Sequence, residues 1–403
     1  MNNESWKKRT MDIKDEIRKS HEELLRLRRD FHAHPELGFR EFRTSRIVEE
    51  HLGDLGLEVR RCAGTGVVGV LRGSGPGKTI LLRCDMDALP IEEATGLPFR
   101  SLEPGVMHAC GHDGHTAMLM VAARILAGHR EEFPGAIVFL FQPNEEEAGA
   151  ERMIEDGALE NPRPDAVCGA HLWSLLPTGV IGVSSGPLMA SSYYFKLTIC
   201  GKGGHGGAPH AAVNPIDAAS HVLEAIKTLH TLEFDSLRPT VISVCTLHAG
   251  VKAIVVPETL EMEGSIRCLH DGDEEVRRRF SELVEGVCRL YRCTCDVAFR
   301  CGNTLLNNNE EMSELAMNVA EKVVGSGNVR TRDLSVMLGD DFAEFSSRIP
   351  GVFYFIGTGN ESKGTNIAHH HPRFDIDEDS LPLGVEMHVR LALEYLNEAI
   401  CNS

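Results

Sequence analysis

Apolar residues recur at helical spacing over residues 12–31, where Ile13, Ile17, Leu24, Leu27 and Phe31 share one face of an amphipathic helix. Pro35 interrupts this pattern. Thr44 or Ser45 is expected to cap a second helix running through Leu55 and closed by Gly56. Residues 57–72 and 79–84 are β-rich runs split by glycine and proline turns. The run at 116–126 is apolar at helical spacing, whereas 136–141 is apolar without alternation, as expected of a strand covered on both faces. A further short apolar strand, 166–170, leads into His171.

From about Gly186 the rhythm changes. Strands are expected at 193–200, 240–247, 259–268 and 293–300, with helices at 215–229 and 274–291. The order β-α-β-β-α-β is that of a ferredoxin-like module, over a span of domain size. Beyond it come a helix at 310–324, a strand at 352–357 and a closing amphipathic helix at 381–400. The simplest α/β architecture is a discontinuous catalytic domain, residues 1–186 and 303–403, with a smaller α+β domain inserted at 187–302.

Composition narrows the function classes. A chain of 403 residues exceeds one ordinary core, in line with two domains. A net charge of −18 argues against nucleic acid or an anionic membrane as partner. No apolar run reaches the length of a membrane span. The polar stretch at 1–9 is not a secretory signal, so the expected location is cytoplasmic. The 12 cysteines include no Cys-x-x-Cys pair and read as reduced, buried thiols; the loose group from Cys288 to Cys301 fits no common zinc spacing.

The chemistry concentrates at 107–115, Met-His-Ala-Cys-Gly-His-Asp-Gly-His. Thiolate and neutral imidazole are ligands for divalent transition metals, and glycine lets close neighbours converge on one point. Cys110 and His112 could not share a helical face, but in an extended turn both can point at one site. Asp85 and Asp87 sit at the C-terminal mouth of a buried strand, the edge where open α/β sheets bind ligands. Glu145, Glu146 and Glu147 follow another strand, and His171 a third. With His370 from the late His369-His370-His371-Pro372 cluster, these groups suit two adjacent metal ions better than one. Adjacent glutamates offer a division of labour between metal ligand and general base.

These motifs resemble the dimetal metallopeptidase family of aminoacylases, hippurate hydrolases and carboxypeptidase-G-type enzymes. The similarity is greatest to its bacterial N-acyl-amino-acid amidohydrolase and plant auxin-conjugate hydrolase branch. It is carried by Arg28-Arg29-Asp30-Phe31-His32-Ala33-His34-Pro35-Glu36-Leu37, Asp85-Met86-Asp87-Ala88-Leu89-Pro90 and His108-Ala109-Cys110-Gly111-His112-Asp113, then Gln142-Pro143-Asn144-Glu145-Glu146, Gly201-Lys202-Gly203-Gly204-His205 and His370-His371-Pro372-Arg373-Phe374. The resemblance implies a zinc-peptidase-like catalytic domain and a ferredoxin-like lid or dimerisation domain. It implies Cys110, His112, Glu146, His171 and His370 as ligands to two divalent ions (manganese, zinc or cobalt). Glu145 is then the general base, His205 an active-site histidine, and Asp85 and Asp87 outer residues that order the metal loop. It also implies a small N-acyl amino acid or dipeptide-like substrate and a homodimer or higher homo-oligomer. His369 and His371 have no counterpart role and read as polar turn residues. Two positions depart from the pattern: Ile254 stands where many members carry asparagine near the substrate, and Glu147 where glycine is common.

Overall fold

A computed structural model describes residues 11–401, with side-chain surroundings to residue 397; the polar stretch at 1–9 lies outside it. The chain divides into two compact units. The first holds residues up to Gly186, Asn307–Leu334 and everything from Glu344 onward; the second holds Pro187–Leu306 and Ser335–Ala343. Nothing in the sequence pattern marks the short return segment Ser335–Ala343.

The first unit is built on an eight-stranded sheet in the order Glu58–Cys62, Gly66–Arg72, Ala136–Gln142, Thr79–Asp85, Ala166–Pro177, Gly351–Gly359, Ile181–Gly182, Val329–Arg330. Its four central strands, from Ala136–Gln142 to Gly351–Gly359, run parallel. Alternate residues such as Ile80, Leu82, Phe139, Cys168 and Tyr354 pack into a core with helices Ile13–Ala33, His112–Gly128, Glu310–Val324 and Leu381–Cys401. The intervening residues, among them Leu81, Val138 and Val167, are buried too. That is why these strands read as unbroken apolar runs.

Register aligns the functional ends. Asp85 pairs with Gln142, and Arg83 with Gly169, so His171 comes level with Asp85 two residues on. The strand bearing His171 continues to Pro177, well past the end expected at Ala170.

One local expectation fails. The second helix spans Phe42–Asp54, and neither Thr44 nor Ser45 caps it. Both are buried in its first turns, and Glu36 reaches in to accept the backbone N–H groups of Arg43 (2.9 Å) and Thr44 (2.8 Å). A carboxylate from the preceding loop does the work of an N-cap residue, which spacing within the helix cannot reveal.

The second unit carries a four-stranded antiparallel sheet in the order Thr240–Ala249, Thr259–Cys268, Ser191–Cys200, Thr294–Cys301. Helices Pro215–Thr228 and Asp273–Leu290 share its core through Val222, Ile226, Phe280 and Val284. Numbered along the chain, the strand order is 2-3-1-4, that of the ferredoxin-like module.

The first unit is stapled by a buried ion. Arg28 donates to Asp113 (3.0 Å), Asp375 (2.6 Å) and Glu378 (3.1 Å), and His32 Nδ1 lies 2.8 Å from the same Asp113 oxygen. Burial alone would raise the Asp113 pKa, but Arg28 and His32 outweigh it and hold that carboxyl far below its ordinary value of 3.8. Replacing Arg28 by Met takes the guanidinium from Asp113 and Asp375, while Glu378 keeps Arg29, and is expected to cost about 3–5 kcal/mol, read from urea unfolding at pH 7. Asp113 contributes its stability above its unfolded pKa and loses it as pH falls towards the folded one. The gap between wild type and variant should therefore narrow below about pH 4. An unchanged urea midpoint at pH 7 would contradict this account.

Candidate metal centre

Gly111 stands between Cys110 and His112 with φ of 89°, a left-handed conformation that glycine adopts without strain. It ends the extended loop and starts helix His112–Gly128, so the thiol and the imidazole can turn towards one place. Two ligand-type trios meet there, Cys110, His112 and His171, and Cys110, Glu146 and His370, and in each the donor atoms lie within 4.8 Å of one another. Both contain Cys110. A third trio, His112, Glu145 and Glu146, places Glu145 beside the same atoms.

Hydrogen bonds set which nitrogen each histidine presents. His112 Nδ1 lies 2.9 Å from the Asp87 carbonyl and 3.1 Å from its carboxylate, both acceptors, so it carries the proton. His112 Nε2 is the nitrogen left over, buried and without a hydrogen-bond partner. His171 Nδ1 donates to the Leu172 carbonyl (2.8 Å), which turns its Nε2 lone pair towards Cys110 Sγ at 3.4 Å. The Leu172 N–H donates to His115 Nε2 (2.9 Å), so His115 Nδ1–H must donate to Asp85 (2.6 Å). His115, dense as its neighbourhood looked in sequence, has both nitrogens committed and orients the others.

The carboxylates do the same for the loops. One Asp87 oxygen accepts from His112 and the other from the Glu146 backbone N–H (3.1 Å), joining the His112 and Glu146 segments. Asp85 is buried between Arg83 (2.7 Å) and His115. Glu145, Glu146 and Glu147 form a single 3-10 turn entered through Asn144 at φ 56°. Glu147 points to solvent, so the charge it adds lies at the rim. His370 also has positive φ (63°); its N–H donates to Ala109 (2.8 Å), which pins the late histidine loop to the cysteine loop.

The residues suit a metal. Burial opposes charge on His112, yet Asp85 and Asp87 outweigh it and raise its pKa to about 10, so this spot favours a cation. Burial with neighbouring His115 and His369 drives the His171 pKa well below 6.5, keeping it neutral and able to ligate. Glu146 Oε1 is buried with no hydrogen bond, although His370 Nε2 lies 3.2 Å away. A carboxylate oxygen and an imidazole nitrogen that face each other without a bond fit a shared cation.

His205 belongs to the second unit, at the end of the short strand Gly204–His205 that pairs with Val255–Val256. Its Nδ1 accepts from Gly207 N–H (2.9 Å), which leaves Nε2–H as an exposed donor. Ile254 is 57% exposed and takes the Gly206 N–H on its carbonyl (2.9 Å), so this departure sits beside His205. His369 is more than a polar turn residue: its Nε2 donates to the Leu172 carbonyl (2.9 Å), and its ring packs on Trp173, centroids 4.7 Å apart. His371 fits the turn role, accepting from Arg373 N–H (3.0 Å). Sequence reading missed Glu41, His115 as an orienting group and the Arg28–Asp113 pair. Only the motif context of Arg28 and Asp113 hinted at them.

Comparison with known proteins identifies the family. The description "Peptidase family M20/M25/M40" matches residues 81–394. A thermostable carboxypeptidase 1 of Saccharolobus solfataricus is 40% identical over 397 residues, 96% of this chain and 98% of its own. An N-acetylcysteine deacetylase of Bacillus subtilis is 35% identical over 377 residues, 93% of this chain and 97% of its own. The crystal structure of the Bacillus subtilis YXEP protein, described as a dinuclear metal binding peptidase from the M20 family, superposes with a TM-score of 0.83. It is 32% identical and covers 94% of this chain and 99% of its own. With a family match over most of its length and relatives at this identity, the chain belongs to the M20/M25/M40 peptidase family, whose members hydrolyse amide bonds.

Proposed function

We propose that this hydrolase cleaves the amide between an acyl group and an amino acid, with two divalent ions held by Cys110, His112, Glu146, His171 and His370. The observation that carries the reading is the pair of donor trios sharing Cys110, with Glu145 beside them. The dinuclear relative and the deacetylase relative support it. When bound, two such ions acidify a water and polarise the amide carbonyl. Glu145 takes the proton from the attacking water and returns it to the leaving amine nitrogen, so water and amide become carboxylic acid and amine. Asp87, Asp85 and His115 keep the ligands aimed while this proton moves. His205 offers its Nε2–H to the oxygen that gains charge as water attacks; we place it there from the neighbouring subunit of a homo-oligomer. Manganese, zinc and cobalt all suit the mixed thiolate, imidazole and carboxylate set. The described cysteines are free thiols, which supports a cytoplasmic location, and no described helix is long and apolar enough to cross a membrane.

The carboxypeptidase relative favours a second reading, cleavage of a peptide bond next to a free carboxylate. Free-amine release from N-acyl amino acids and from dipeptides, compared at equal concentration, separates the two. Preferential turnover of dipeptides would replace the first reading with the second.

Three outcomes test the mechanism. Chelation should abolish activity and added manganese, zinc or cobalt restore it; full turnover in protein shown by elemental analysis to lack metal would refute it. Glu145→Gln should keep both ions and lose about 100- to 10,000-fold in kcat, whereas Glu146→Gln should lose metal as well. Equal metal loss in both, with near-native rates for reloaded Glu145→Gln, would reverse the assignments. His205→Ala should cost roughly 100- to 1,000-fold in rate. Co-expressed with Glu145→Gln, it should regain activity in mixed dimers, where one site pairs an intact Glu145 with an intact His205. Verified mixed dimers as inactive as their parents would remove His205 from the partner's site.

A further inference from the structure

We propose that Glu41 is the positioning residue that holds the Glu145–Glu147 turn at the metals, gripping it through the backbone of Asn144. This rests on the reading of Glu145 as base and Glu146 as ligand. Glu41 is fully buried at the head of helix Phe42–Asp54. One carboxyl oxygen accepts the Asn144 N–H at 3.0 Å, and the other accepts the Thr65 hydroxyl at 2.6 Å. Asn144 is left-handed at φ 56°, and its carbonyl takes the Gly149 N–H (2.7 Å) to close the turn. A non-glycine residue in this region is strained and persists when its surroundings over-determine it. Glu41 supplies part of that determination. Asp87 grips the same turn two residues later through the Glu146 N–H, so two buried carboxyl groups fix both ends of the segment that aims Glu145 and Glu146.

Two details fit this role. A Cβ on Gly38 would lie 1.8 Å from Asn144 Oδ1, so the side chain of Asn144 is packed against backbone on its other flank. Burial pushes the Glu41 carboxyl up to about 7 against the bonds from Thr65 and Asn144, so its uncharged form is within easy reach near neutral pH. Glutamine mimics that form: its amide oxygen accepts the Asn144 N–H, and the Thr65 hydroxyl turns to accept its NH₂.

The test is the affinity of the metal-stripped full chain for manganese, measured by competition with a chromophoric chelator, alongside kcat. Glu41→Ala should weaken manganese binding roughly 10- to 100-fold and lower kcat, with Glu41→Gln close to wild type. Thr65→Val removes the hydroxyl that holds the other Glu41 oxygen and should reproduce a smaller part of the loss; it carries the test if Glu41→Ala does not fold. Wild-type manganese affinity in folded Glu41→Ala, or in Thr65→Val where Glu41→Ala does not fold, with Glu146→Gln still losing metal, overturns the role of Glu41 and leaves the ligand assignment standing. A Glu41→Gln variant as impaired as Glu41→Ala also overturns it, because both hydrogen bonds remain available there. Full metal retention by Glu146→Gln overturns the ligand assignment, and this proposal with it.

Discussion

Buried charge is the constraint on which the first unit turns. Asp113 follows the proposed ligand His112 directly, and its carboxylate can lie in the interior only because Arg28 and His32 meet it there. The same guanidinium reaches Asp375 and Glu378, a few residues after the proposed ligand His370. One side chain of the first helix thus ties the start of helix His112–Gly128 to the segment that follows the late histidines. A buried ion network is a poor source of net stability, since each ion gives up its hydration. Its value here is registration. Any shift of one segment against another leaves a charge unpaired in the interior, so the chain has one low-energy arrangement.

Orientation is built outward from that frame. The Leu172 backbone is shared by three histidines: its N–H fixes His115, and its carbonyl takes protons from His171 and His369. Because peptide groups donate and accept in one sense only, the proton on each of these rings has one place to be. His112 is treated likewise by Asp87. The result is a set of ring nitrogens directed at one region, the preorganisation that favours a metal ion there. The glutamate turn is held in the same manner, by acceptors aimed at its backbone.

A centre of this kind is generic for amide hydrolysis, as relatives named for carboxypeptidase and deacetylase activities show at similar identity. Substrate choice must then come from elsewhere in the chain. Ile254, exposed beside His205, replaces an amide-bearing residue with an apolar one, and Glu147 adds charge only at a solvent-facing rim.

The sequence by itself determined the element types, the family and the identity of the groups that gather. Buried parallel strands leave unbroken apolar runs, the inserted β-α-β-β-α-β order is local, Cys110 stands beside His112 in one short motif, and Glu145 is next to Glu146 in another. Tertiary structure alone decided the roles of groups whose partners are remote in sequence. Glu36 caps a helix from outside it, His115 links Asp85 to the Leu172 N–H, and His369 shares a carbonyl 197 residues away. Glu41 meets Asn144 across 103 residues, and Arg28 meets Glu378 across 350. A hydrogen bond has no periodicity and leaves no pattern at either end of the chain. What each buried polar group does is fixed only when folding brings its partner within 3 Å or so and removes the water that would otherwise serve.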